Sequence, residues 1–75
     1  MNAERRKRIQ DAVVKLEDAV SFLEQARDEE QEAFDELGEK AQEGERGEKM
    51  QGAIDYLESA INDVGSAVDS LNSIE

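Results

Sequence analysis

The chain repeats itself. Residues 4–20, ERRKRIQDAVVKLEDAV, align with residues 45–61, ERGEKMQGAIDYLESAI, at an offset of 41. Seven of the 17 pairs are identical, including Ala12/Ala53, Leu16/Leu57 and Ala19/Ala60. The remaining apolar pairs are conservative: Ile9/Met50, Val13/Ile54 and Val20/Ile61. A match at fixed offset marks one structural unit used twice. The spacing of its apolar residues says what that unit is. In the first copy they run Ile9, Val13, Leu16, Val20, Leu23, and resume at Phe34 and Leu37. In the second they run Met50, Ile54, Leu57, Ile61, Val64, Val68, Leu71. Steps of four and three alternate, which is the a/d seam of a heptad-repeat helix, positions a to g.

Pro is absent, so nothing forces a break inside either run. The pattern predicts helix 1 at about 3–37, a turn at about 38–45 and helix 2 at about 46–73, one domain spanning residues 1–75. Gly38 follows the last periodic residue and suits a left-handed C-cap. Gly44 and Gly47 bracket the start of helix 2. So short a connection makes the helices antiparallel neighbours. Residues whose numbers sum to about 84 then face each other: Phe34/Met50, Leu23/Ile61, Val20/Val64, Leu16/Val68 and Val13/Leu71. Every one of these pairs is apolar on both sides. The fold class is all-α, an antiparallel, coiled-coil-like two-helix hairpin.

The stripe is wider than such a hairpin needs. Alanine occupies the g positions: Ala12, Ala19, Ala26 and Ala33 in helix 1, and Ala53, Ala60 and Ala67 in helix 2. Phe22 and Tyr56 stand at c, beside those columns. A stripe of a, d and g is the width of a bundle helix. At 75 residues without Cys the chain has no disulfide to support a small core. The expectation is therefore a homodimer, two hairpins packed as a four-helix bundle, with Phe22 and Tyr56 as anchors for the dimer or a partner. A monomeric hairpin with both rings exposed is the alternative. The seam has one polar break, Arg27 at a and Glu30 at d, readable as a local Arg27–Glu30 pair or as a register device. Gly65 weakens helix 2, and its tail from residue 62, rich in Ser, Asn and Asp, is expected to fray or to tighten on binding.

The formal net charge is −11, unevenly spread. Residues 1–15 carry five bases against two acids, 5 − 2 = +3. Residues 28–48 carry two bases against ten acids, 2 − 10 = −8. The first block lies at the open end of the hairpin and the second at the turn. The run Arg5-Arg6-Lys7-Arg8 opposes the helix dipole, a conflict that the negative end of helix 2 beside it softens. With no aromatic nearby for stacking, it is a poor nucleic-acid site, and no direct nucleic-acid contact is expected. A hairpin RNA binder using those four residues is a third, weaker reading.

The chemistry of common enzymes is missing. There is no His, hence no dimetal bundle of Glu-x-x-His type and no base for the Ser residues. The acidic run Asp28–Glu32 lacks the glycine of a calcium loop, and no phosphate loop follows Gly44, Gly47 or Gly52. The sequence points to no catalytic residue, metal or cofactor, and a non-enzymatic protein is expected. No stretch is long and apolar enough for a membrane span or signal peptide. With Met1 read as a native start, the expected location is cytoplasmic.

Residues 27–61, RDEEQEAFDELGEKAQEGERGEKMQGAIDYLESAI, resemble a group of small acidic proteins encoded by phages and prophages. The shared features are a DEEQEAxDxL segment, a short turn, an ERGEKM helix start and a repeated AI-x-x-LE pattern, with Gly38 standing where the group would have Pro. The resemblance implies a mobile-element origin, and with it inhibition of host defence of the anti-restriction or anti-CRISPR kind in the host cytoplasm. Under that reading Asp28, Glu29, Glu32, Asp35, Glu36 and Glu39 form an acidic surface that enters the basic groove of a host protein, in the manner of a DNA mimic. The alternative is a structural or regulatory module that packs its apolar stripe on a partner helix, its acids serving solubility.

Overall fold

The computed structural model describes residues 1–75. Three helices follow one another: α1 (Ala3–Asp35), α2 (Glu39–Glu43) and α3 (Glu45–Asn72). α1 and α3 lie side by side as an elongated hairpin measuring 58 × 15 × 12 Å. Its radius of gyration is 17.2 Å, against about 11 Å for a compact domain of this length.

α1 starts where the Asn2 side chain accepts the Arg5 backbone N–H at 2.8 Å, satisfying one of the free donors of the first turn. It ends two residues before the last periodic apolar residue. The expected left-handed cap at Gly38 is not formed: no residue has positive φ, and Gly38 adopts φ −64°, ψ 155°. The helix instead tightens, with the Leu37 N–H donating to the Phe34 carbonyl at 3.1 Å, and Gly38 becomes the N-cap of α2. The same carbonyl, which a left-handed cap would satisfy from Gly38, takes a second bond from a side chain. Gln42 Nε2, in α2, donates to the Phe34 oxygen at 3.0 Å in a part-buried position.

Gln42 also meets the start of α3. A Cβ on Gly47 would lie 2.0 Å from the Gln42 carbonyl oxygen, closer than any real contact. Gly47 is accordingly buried, and only glycine lets α3 pass this close to α2.

The seam follows the heptad pattern. Val13, Ile54 and Val68 are the buried apolar side chains, Ile54 at 2% exposure the most deeply so. The other apolar a and d residues are half-buried. Ile9 and Val13 share a groove with Leu71 and Ile74, and Val20 shares one with Gly65 and Val68. At the open end the Arg6 guanidinium donates to the backbone oxygen of Glu75. These neighbours hold the two helices close to the expected antiparallel register.

The polar break resolves differently from expectation. Arg27 pairs with Asp28 at 3.1 Å and makes no pair with Glu30. Its side chain is 28% exposed, as fits a stem lying on apolar surface with the charge at the edge. Both Arg27 and Glu30 are half-buried, so the seam runs on through them. The tail beyond residue 62 stays helical to Asn72, closed by Ser73, whose N–H and Oγ both donate to the Asp69 carbonyl.

The glycines give a sharp test. Gly47→Ala is expected to lower stability by about 1–3 kcal/mol, through the clash with backbone. Gly52 and Gly65 have open space where a Cβ would go. Gly52→Ala and Gly65→Ala should each raise stability by about 1 kcal/mol. Urea denaturation followed by circular dichroism at one fixed protein concentration reads all three.

Candidate interaction surface

Each long helix turns its a and d positions towards the other, and its remaining positions divide the hairpin into two flanks. The grooves between the helices show which positions share a flank. One groove brings Gln10 of α1 beside Asn72 of α3, and the other brings Glu17 and Glu24 beside Gly65. All five are e positions. The e residues of both helices therefore lie on one flank, which is polar. The g residues of both lie on the opposite flank, so the two alanine columns pave a single face. Phe22 and Tyr56 rim that face, each between alanines three residues before and four after it. They are 71% and 82% exposed. In the antiparallel register they stand about 9 Å apart along the axis. The hairpin leaves both rings uncovered.

The acidic residues fall on the outer surface near the turn. Asp28, Glu29, Glu32, Asp35 and Glu36 lie along the last turns of α1 and its C-cap, and Glu39 opens α2; all six are exposed. Asp28 is held by Arg27, and Asp35 accepts the Gln31 amide at 3.0 Å. No ion pair or hydrogen bond engages the carboxylates of Glu29, Glu32, Glu36 or Glu39. Glu39 lies in α2, within the segment expected as a turn, so it belongs to a separate segment from the other five.

The dipoles of the helices separate the acids into two groups. Glu39, Glu45 and Glu48 sit in first turns, where the positive helix end favours carboxylates. Asp35 and Glu36 sit at the negative end of α1, whose last turn carries no base. Local stability accounts for the first group and opposes the second. At the other end of the hairpin, the basic run is occupied in part by its own chain: Arg8 pairs with Glu4 at 2.8 Å, and Arg6 reaches Glu75.

No three acidic side chains converge as a metal site would require. No helix is long and apolar enough to cross a membrane. Comparison with known protein families, curated proteins and solved structures finds no match to this chain. The surface must therefore be read from its own residues.

Two features of the site lay outside the sequence reading. The Gln42 bond to the Phe34 carbonyl joins residues of no special pattern. The sharing of one flank by both alanine columns follows from antiparallel packing, and could have been read once the hairpin register was set. If Asp35 serves something other than the helix, replacing it should stabilise the helix. Asp35→Lys is expected to raise stability by about 0.3–1 kcal/mol at low salt. Thermal melts showing a loss would assign this acid a structural role.

Proposed function

We propose that this chain is a non-enzymatic binding protein of mobile-element origin. It inhibits a host nucleic-acid-handling or defence protein, of anti-restriction or anti-CRISPR type, by placing its acidic end in a basic groove in the host cytoplasm. Its working form is a homodimer, two hairpins joined as a four-helix bundle. The observation that carries the reading is the charge density of the last turns of α1. Residues 28–36 contain six acids and no base. Nine helical residues span about 12 Å, so the segment carries about one negative charge per 2 Å. Duplex DNA carries about one per 1.7 Å of axis. Five of these six carboxylates are exposed, Glu30 lying half-buried in the seam, and most are unpaired, on a rigid rod narrow enough to enter a groove. A groove shaped for phosphates meets a comparable field, and the encounter is fast and salt-sensitive.

The second reading, a module that packs an apolar face on a partner helix, is favoured by the exposed Phe22 and Tyr56. Salt separates the two. Nucleic-acid-binding proteins captured from a bacterial lysate on immobilised chain should be released as salt rises from about 0.05 to 0.5 M, as screening shortens the Debye length to a few Å. Duplex DNA should displace them. A variant with Asp28, Glu32, Asp35 and Glu39 all changed to Lys should capture none. Capture that survives this reversal rules out the charge mimic. Capture lost in Phe22→Ala with Tyr56→Ala, yet indifferent to salt, supports the helical module instead.

A further inference from the structure

The rim of the alanine-paved flank carries its own code. At intervals of seven along α1, the c positions read Arg8, Lys15, Phe22, Glu29, Glu36. All five are exposed. The charges run plus, plus, ring, minus, minus: a series that becomes its own complement when reversed about Phe22. We infer that two copies pack alanine flank against alanine flank, antiparallel, about a twofold axis passing by Phe22. This rests on the dimeric reading above and specifies its geometry. Phe22 then meets Phe22 of the second copy, while Lys15 faces its Glu29 and Arg8 its Glu36. Small g residues let the two α1 helices approach, as close helix packing requires.

The opposite arrangement, with both turns at the same end, is disfavoured on charge. It would set the two −8 segments against each other and bring Phe22 level with Asp63. The antiparallel arrangement brings each acidic turn to the basic open end of its partner. The surface area agrees with a second copy. The chain exposes 5733 Å², about 1,100 Å² more than a compact monomer of its mass. A stable interface covers about 800 Å² on each partner.

The acids near the turn thereby divide. Glu29 and Glu36 serve the dimer. Asp28, Glu32 and Asp35, on the outward b and f positions of α1, and Glu39 beyond it, remain free for a basic partner.

The chain contains no Cys, so single cysteines report contacts cleanly. Sedimentation should give twice the 8.4 kDa chain mass. Mild oxidation should cross-link Phe22→Cys with itself, and Arg8→Cys with Glu36→Cys when the two variants are mixed. Glu36→Cys alone should stay uncross-linked. Arg8→Glu with Lys15→Glu should weaken the dimer on the order of tenfold to a hundredfold, from four lost surface pairs. Adding Glu29→Lys and Glu36→Lys to the same chain should restore it, with helicity by circular dichroism unchanged throughout. A wild-type chain that sediments as a monomer overturns the inference together with the dimeric reading. A dimer that cross-links through Glu36→Cys alone, or that the second charge reversal fails to rescue, overturns this geometry and leaves the dimer standing. None of these measurements involves a host protein, so they are independent of whether the acidic end binds one.

Discussion

Three stretches of backbone meet at Gln42. Its side chain holds the Phe34 carbonyl at the end of α1, and its own carbonyl lies where any side chain on residue 47 would have to go. The tight approach at Gly47 fixes where α3 starts relative to α2, and the amide bond fixes α2 relative to α1. Together they set how far the second helix is displaced along the first. In a rod of two helices that displacement decides everything downstream, because a slip of one residue rotates the facing side chains by about 100° around the axis. The placement of Ile54 in the seam, the meeting of Arg6 with Glu75 and the sharing of one flank by both alanine columns all depend on this corner.

Two adjacent helices can hide only what points along the line between them. That explains why so little of the chain is fully covered although its apolar pattern is regular. It also explains why alanine and aromatic residues next to the seam stay in contact with water. Larger side chains at the alanine positions would cover part of that face within one hairpin. Alanine leaves it flat.

The repeat and the heptad spacing made the hairpin legible, because both are properties of single helices that survive any change in the turn. The turn was not legible in the same way. Gly38 looked like a C-cap because it follows a periodic apolar residue, yet α1 stops earlier, since Leu37 closes a tighter bond to the Phe34 carbonyl and the Gln42 side chain adds a second. Gly47 looked like punctuation. Its importance lies in a contact that exists only after α2 has formed. Arg27 was placed correctly in the seam, but its partner is the adjacent Asp28, nearer to hand than Glu30 one turn on. For the candidate site, the acids and aromatics were visible as residue types. The assignment of flanks, which separates Glu29 and Glu36 from the outward acids, required knowing which positions of two antiparallel helices come together.

The corner at Gln42 also orders the assembly of the chain in time. Contacts near it join residues only a few positions apart, whereas Arg6 and Glu75 lie at opposite ends of the sequence. Loop closure costs least at the corner and rises with distance from it. The hairpin therefore closes like a zipper, from the acidic end towards the basic one, and its loops stay short at every step because the preceding pairs are already made. Reversed, the same gradient makes the open end the place where the native rod first comes apart. On that gradient the terminal turns should exchange their amide hydrogens with solvent soonest, and the turns nearest the corner latest.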